Sequence, residues 1–283
     1  MWWTMWTGII AGRSAVALRR RVAIAIWTVS LALFPTSSRA LTCGQSLTAN
    51  TRLTADLVCS DSEGPVLAAP GITLDLAGYE IRCTKGSPCS AGGSGALAGV
   101  VLAAPDTTVR GPGRITGFLV GVWDVGEQVP GTTVERLIID GTGPVYAHGI
   151  YGIENIRSNV VFGCGTALRL LDNALSVQDN LIAESDLGVD IAGHTAASVL
   201  KLIHNRIVAC GVGLSLGPGS SVNSNQRAIR HNILIGNTDD LIDQSDTNDI
   251  PLATNVCVNL HPLSTSGMCS TSPILPDWPS FKP

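Results

Sequence analysis

Apolar and polar residues alternate with a period of two in many short runs of this chain. The apolar residues Leu200 and Leu202, for example, lie two positions apart, as do Val189 and Ile191. Neighbouring residues of a β-strand point to opposite faces, whereas an amphipathic helix repeats its apolar positions every three to four residues. The pattern therefore predicts short strands that each bury one face.

One phrase recurs between residues 157 and 243. Each copy begins with Asn, has aliphatic residues two and nine positions later, and has a small or polar residue five positions later. The four copies are NVVFGCGTALRL, NLIAESDLGVDI, NRIVACGVGLSL and NILIGNTDDLID. Two upstream copies begin at Gly113 and Arg136 without the Asn. The anchor positions are therefore 113, 136, 159, 180, 205 and 232.

The regular spacing of these anchors indicates a solenoid, in which each unit buries its apolar face only by stacking on its neighbours. These units are too short for paired helices, but three short strands and their turns fit. Coils of this kind stack about 4.8 Å apart as a parallel β-helix. We therefore predict an all-β fold: a single-stranded parallel β-helix of about seven to eight coils, in one domain.

The recurring Asn residues would form a column at one turn of this helix. Its members are Asn159, Asn180, Asn205 and Asn232. Stacked amides can pass hydrogen bonds from coil to coil and satisfy polar groups that would otherwise be buried without a partner. The alternative is four unrelated Asn residues in loops, and the matching aliphatic positions argue against it.

The residue after the second aliphatic position must face outward, because neighbours alternate across a strand. This outward row comprises Val101, Trp123, Tyr151, Arg169, Asp190, Ser215 and Ile242. Aromatic faces stack on sugar rings, and Arg binds carboxylates through two parallel hydrogen bonds. Trp123, Tyr151, Arg169 and Asp190 are therefore candidate substrate-binding residues for a uronic-acid polymer. The alternative is a row of unrelated surface residues.

Candidate catalytic residues lie beside this row. His148 falls in an enlarged turn, PVYAHGIYG, close to Tyr151. A His or Tyr near an Arg can remove the C5 proton of a uronate while the Arg stabilises the enolate-like charge. Tyr151, Arg169 and His148 are thus candidates for catalysis of elimination or epimerisation. A turn His that only forms hydrogen bonds is the alternative.

Acidic residues near the end of the repeats admit two interpretations. They are Asp239, Asp240, Asp243, Asp246 and Asp249. Carboxylates of this kind can bind calcium, but a solvated capping loop explains them more simply. We therefore predict no cofactor and no metal ligands, and calcium binding by these carboxylates stays an alternative.

The segment 1–40 has the features of a secretory signal. It contains five Arg and no acidic residue, and the run from Val22 to Phe34 is largely apolar. Ser38 and Ala40 suit a cleavage site. The apolar run is short for a membrane span, so a retained anchor is the lesser alternative. Cleavage would remove five of the 18 Lys and Arg and none of the 22 Asp and Glu. The remaining chain would be acidic, which argues against nucleic acid as a partner.

These features resemble a known family. The opening CG…LTANTRLTADLVC…GITLDLAGYEI, the NxI…G(V/L)xL phrase and the Cys-bearing tail are similar to secreted right-handed parallel β-helix proteins of the pectin lyase-like superfamily. The resemblance covers about residues 43–270. It implies right-handed coils and, from members such as pectate and alginate lyases, polygalacturonases and mannuronan epimerases, a polysaccharide partner. The WxDH and RxPxxR motifs of pectate lyases and the YGFDPHD motif of mannuronan epimerases are absent.

The residue patterns divide the chain into four segments. We expect a signal peptide at 1–40, an N-terminal cap at 41–63, the β-helix at 64–250, and a disulfide-tied C-terminal cap and tail at 251–283. All eight Cys follow residue 40, which suits an oxidising compartment. The simplest pairing joins neighbours: Cys43 with Cys59, Cys83 with Cys89, and Cys257 with Cys269.

Two further cysteines should stay reduced. Cys164 and Cys210 occupy the same position two coils apart, with Ser185 between them. Two coils span roughly 9.6 Å, whereas the Cα atoms of a disulfide lie about 4.4–6.8 Å apart. We therefore predict two buried thiols in a turn column.

Together these observations predict a secreted or periplasmic protein with no membrane contact after signal cleavage. Its expected partner is an acidic polysaccharide, which it binds and which it could cleave by β-elimination or epimerise. Glycoside hydrolysis fits less well, because NTDD at 237–240 fuses two motifs that polygalacturonases keep apart. The sequence leaves turnover open, and the alternative is a non-catalytic structural β-helix.

Overall fold

The computed structural model describes residues 40–60, 62–84, 97–126, 129–141, 148–192, 200–217, 228–243, 254–257 and 269–270. Within these ranges the regular structure consists of strands alone. No helix in the described part of the chain is long and apolar enough to cross a membrane. The predicted signal peptide lies outside these ranges, except for Ala40.

The strands are short and follow one another closely. In chain order the first twelve are β1 (Ser46–Leu47), β2 (Thr51–Arg52), β3 (Leu57–Cys59), β4 (Val66–Leu67), β5 (Thr73–Asp75), β6 (Glu80–Cys83), β7 (Ala98–Leu102), β8 (Thr108–Arg110), β9 (Arg114–Thr116), β10 (Val120–Asp124), β11 (Thr133–Glu135) and β12 (Ile138–Asp140). Then come β13 (His148–Tyr151), β14 (Asn155–Arg157), β15 (Val160–Phe162), β16 (Thr166–Leu170), β17 (Ser176–Gln178), β18 (Leu181–Ala183), β19 (Leu187–Ile191) and β20 (Lys201–Ile203). The last are β21 (Arg206–Val208), β22 (Val212–Leu216), β23 (Ala228–Arg230), β24 (Ile233–Ile235), β25 (Asp239–Asp243), β26 (Asn255–Cys257) and β27 (Cys269–Ser270).

Three parallel sheets build the fold within the described residues. Sheet A has the order β1-β4-β7-β10-β13-β16-β19-β22-β25, sheet B the order β2-β5-β8-β11-β14-β17-β20-β23, and sheet C the order β27-β26-β24-β21-β18-β15-β12-β9-β6-β3. Neighbours in sheets A and B, and in most of sheet C, are three strands apart in the chain, so the chain winds through all three sheets once per turn. The result is a β-solenoid of about seven turns, and the predicted all-β parallel β-helix is confirmed. Its right-handed sense stays an expectation from the chirality of parallel crossovers.

The strands of sheets B and C owe their orientation to their central residue. In β8 and β11, for example, Val109 and Val134 are fully buried, while the residues on either side of them face outward. Short strands with one inward aliphatic residue cannot bury it alone, and stacking in register joins these side chains into a continuous core. The alternation in the sequence thus becomes the inside and outside of the solenoid.

The predicted Asn column is present and fully buried. Asn159 N–H and Nδ2 donate to Asn180 Oδ1 at 2.9 and 3.1 Å. Asn180 makes the same pair of bonds to Asn205, and Asn205 to Asn232. Asn232 continues the ladder to Asn255, a member that the sequence pattern did not reveal. The ladder therefore runs from the middle of the solenoid to β26, in the segment predicted to be the C-terminal cap.

The anchor predicted at Arg136 is wrong by one residue. Ile138 pairs with Val160, so Leu137 occupies the position of Asn159, and Leu137 N–H donates to Asn159 Oδ1 at 3.0 Å. Arg136 instead forms the corner before this position, with a left-handed φ of 57°. Without an Asn to mark the ladder, the sequence allowed either register.

The segment predicted as the N-terminal cap contributes strands to all three sheets. The described part of the segment 41–63 contributes β1 to β3, which pair in parallel with β4 to β6 one turn later. Cys43 and Cys59 form the predicted disulfide, with Cα atoms 5.7 Å apart. This bond closes the first coil, whose strands pair, among the described residues, with those of the second coil.

The other predicted disulfides are described in part. Cys83 and Cys257 are each disulfide-bonded. Cys89 and the side chain of Cys269, their predicted partners, lie outside the described residues. The pairing of these four cysteines therefore stays a prediction.

Cys164 and Cys210 are free and buried, as predicted. Ser185 lies between them in the same turn column, and Cys164 N–H donates to its Oγ at 3.2 Å. Burial raises the pKa of the Cys164 thiol to about 12, and the Asp140 carboxylate adds to this effect. These thiols are therefore inert members of the core.

Candidate functional site

The outward row predicted from the sequence lies on the outer face of sheet A. Its residues pair directly from strand to strand in the order Val101, Trp123, Tyr151, Arg169, Asp190, Ser215 and Ile242. Each follows a buried inward residue, such as Val122 before Trp123. The four candidate binding residues, Trp123 to Asp190, therefore lie on consecutive coils.

The sequence predicted that His148 lies in a turn. This prediction is wrong, because His148 is a strand residue. It begins β13 and pairs with Val120 on one side and Thr166 on the other. Its ring lies beside that of Tyr151, with centroids 5.2 Å apart and planes at 53°. The three residues considered for catalysis, His148, Tyr151 and Arg169, thus belong to adjacent strands of the same sheet.

Gly149 lets the chain turn inward between His148 and the next core residue. A Cβ on Gly149 would lie 2.5 Å from the carbonyl oxygen of Ala167 and 2.5 Å from Val161 Cγ1. Gly149 and Ile150 therefore both face the core, and His148 and Tyr151 both face outward. This local bend brings the imidazole and the phenol onto one surface.

Arg169 and Asp190 form an ion pair within the row. Arg169 Nη1 donates to Asp190 Oδ2 at 2.7 Å. The arginine side chain is 35% exposed and the aspartate side chain 12%. Burial raises the pKa of Asp190, and the nearby guanidinium only partly counteracts this. The accessible half of the pair is thus the cation.

His148 is held in its neutral form. Burial lowers its pKa, and the positive charge of Arg169 lowers it further. Its Nδ1 is buried and has no hydrogen-bond partner within the described residues. A neutral imidazole can act as a base only through a nitrogen that the substrate reaches, and Nδ1 is enclosed by the protein.

An apolar cluster supports the N-terminal end of this face. Ala98, Val101 and Val120 are buried although they lie outside the central core, and the partly buried Val66, Trp123 and Tyr151 pack against them. The two aromatic rings are therefore fixed from one side, which lowers the entropy lost when a ligand stacks on them. The sequence could not reveal this cluster, because alternation assigns outward residues to solvent.

The acidic residues considered for calcium are only partly described. Asp240 points into the core and accepts a hydrogen bond from Asn237 Nδ2 at 2.7 Å. Asp246 and Asp249 lie outside the described residues. Among the residues that the structure describes, no group of three or more His, Cys, Asp or Glu is arranged to hold a metal ion.

A second outward row, which the repeat pattern did not predict, lies beside the first. Val120, His148, Thr166 and Leu187 pair in order, three positions before the residues of the first row. The signal for this row was the repeated Gly or Ala that follows it, as at Gly149 and Ala167.

No protein-family model, curated protein or solved structure matches this chain.

Proposed function

We propose that this protein is an exported β-helix that binds an acidic polysaccharide along the outer face of sheet A. The observation that carries the proposal is the row Trp123, Tyr151, Arg169 and Asp190, in register on four consecutive coils. Two aromatic residues and a cation then repeat at the coil rise of about 4.8 Å. This rise is similar to the length of one sugar unit, so neighbouring sugars can contact neighbouring coils.

The chemistry of the row suits a carboxylated sugar. Trp123 and Tyr151 offer ring faces for stacking against the apolar face of a pyranose. Among the described residues, Arg169 donates one side-chain hydrogen bond, from Nη1 to Asp190, so its Nη2 and Nε are available to a sugar carboxylate. Asp190 fixes the guanidinium in place, which reduces the rotamer entropy lost on binding.

Binding is tested by measuring the affinity of the untagged protein for polygalacturonate, alginate and glycosaminoglycans, with and without calcium. We expect Trp123→Ala and Arg169→Ala each to weaken binding by about fivefold to tenfold or more. Arg157→Ala is the matched control, since Arg157 is an exposed, ion-paired arginine of sheet B. Binding unchanged in both row variants would exclude this face as the binding site, and no binding to any of these polymers would leave the structural β-helix as the better explanation.

A second candidate function is elimination or epimerisation at the same face, and the position of the His148 imidazole beside Tyr151 and near the charge of Arg169 favours it. The base would take the C5 proton of a uronate, and Arg169 would stabilise the charge on the carboxylate. In elimination, the C5 electron pair forms a C4=C5 double bond and the C4–O bond breaks. The departing oxygen then takes a proton from Tyr151 or water. Return of a proton to the other face of C5 would instead give the epimer.

Turnover is tested by the ultraviolet absorbance of the unsaturated product and by the uronate composition of the polymer. We expect Tyr151→Phe and His148→Gln to abolish a signal that the wild-type protein gives, while polymer binding persists. Binding without any product from the wild-type protein would exclude turnover on these polymers and leave a binding protein.

A further inference from the structure

A column of potential metal ligands lies at the corner between sheets B and C, away from the outer face of sheet A. Asp179, His204 and His231 each directly precede a ladder residue, at the same position of three successive coils. All three have left-handed backbones, with φ values of 57°, 57° and 58°. The corner thus gives the three side chains a common starting direction, one coil apart.

The two imidazoles lie side by side. The ring centroids of His204 and His231 are 5.2 Å apart, with an interplanar angle of 30°. On its other side, His204 Nδ1 lies 3.7 Å from Asp179 Oδ1. The side chains of His204 and Asp179 are 51% and 52% exposed, so solutes can reach this corner.

We propose that His204 and His231 bind one divalent transition-metal ion, such as Zn²⁺, Ni²⁺ or Cu²⁺. Imidazole nitrogens bind these ions at about 2.0–2.1 Å, and exposed rings one coil apart can turn their nitrogens toward a shared ion. Water would fill the remaining positions, which agrees with the lack of a three-ligand group among the described residues. The site differs from the calcium considered above in both ligand type and place.

Asp179 would act as a positioning residue. A carboxylate beside the second nitrogen of a metal-binding His fixes its tautomer and orientation and strengthens the ligand. With Nδ1 of His204 directed to Asp179, Nε2 is left for the metal ion. His231 is also anchored, because its backbone N–H donates to Thr254 Oγ1 at 3.1 Å.

The site depends on the folded solenoid. The two histidines belong to different coils and are distant in the chain, so only coil stacking makes them neighbours. A metal ion that binds the folded chain alone stabilises it in proportion to the logarithm of its concentration relative to Kd. At about ten times Kd the melting temperature should rise by about 3 °C or more.

The test is titration of the untagged protein with Ni²⁺ and Zn²⁺ near neutral pH by calorimetry. We expect one ion per chain, a loss of about tenfold or more in affinity in His204→Asn and in His231→Asn, and no binding in the double variant. Asp179→Asn should weaken binding by about tenfold while the stoichiometry stays at one. His261→Asn is the matched control, since this His is not one of the proposed ligands.

A spectroscopic readout separates ligation from a structural effect. Electron paramagnetic resonance of the Cu²⁺ complex should show two equivalent nitrogens, and one nitrogen in either single variant. Circular dichroism establishes that each variant is folded before titration. The proposal is overturned if the wild-type protein takes up no more metal than the folded double variant. Retention of full affinity by both single variants overturns it equally.

Discussion

Asp190 is a carboxylate whose burial opposes its charge. Its folded-state pKa is raised, mainly by desolvation, despite the neighbouring Arg169. A carboxyl with a raised folded-state pKa stabilises the fold most when the pH is below its unfolded-state pKa of about 3.9. This contribution is lost as pH rises through the folded-state pKa. At neutral pH the ionised Asp190 therefore reduces the free energy of unfolding.

We expect Asp190→Asn to raise the melting temperature at neutral pH by a few degrees at most. The amide keeps an oxygen that accepts from Arg169 Nη1 but carries no charge to desolvate. Toward about pH 3 the gain should disappear, because the wild-type carboxyl is then protonated as well. Melting temperatures measured across this pH range test the prediction.

Asp75→Asn serves as the control for this prediction. Asp75 pairs with Arg110 at 3.0 Å on the outer face of sheet B, and no rise in melting temperature is expected from its substitution. A melting temperature of Asp190→Asn that falls at neutral pH would mean that the ion pair with Arg169 outweighs the desolvation of the carboxylate.

The Asn ladder connects coils through side chains rather than through the sheets. Asn205 is fully buried, and its Nδ2 donates to Val177 O at 2.9 Å and to Asn232 Oδ1 at 3.0 Å. Its Oδ1 accepts from the backbone and side-chain nitrogens of Asn180. Removing this amide leaves several buried polar groups without partners, each at a cost of about 1–3 kcal/mol.

We therefore expect Asn205→Ala to lower the free energy of unfolding by about 2–5 kcal/mol. Asn50→Ala is the control, because exposed Asn50 accepts a single backbone hydrogen bond, from Thr73 N–H at 2.8 Å. It should cost about 1 kcal/mol or less. Chemical denaturation of both variants measures the difference, and equal losses would mean that water satisfies the groups around Asn205.

The coils show what the sequence could reveal. The recurring Asn made the ladder predictable, and the recurring aliphatic residue nine positions later made the outward row predictable, because both depend only on register. Arg136 was misplaced because no Asn marked the register there. His148 was misplaced because a longer stretch of sequence precedes its strand. The pKa shifts of Asp190 and His148 could not be predicted from the sequence. They depend on the burial of an outer face, and alternation alone assigns that face to solvent.

The charge of the complete chain bears on how it would meet an acidic polymer. Formal net charge is −4 at pH 7 over 283 residues, so long-range electrostatics do not attract a polyanion. Within the outward row Arg169 is the one cation, and Asp190 partly neutralises it. Binding at this face must therefore come mostly from stacking and from local hydrogen bonds.

This balance predicts a weak dependence of affinity on salt. Each cation that neutralises a polymer charge contributes about one power of salt concentration to the affinity. With Arg169 alone, raising salt from about 50 to 200 mM should weaken binding by about fourfold or less. Titrations of the polymer at the two salt concentrations test this. A loss of about a hundredfold or more would require several cations. It would contradict binding at the outward row of sheet A, in which Arg169 is the one cation.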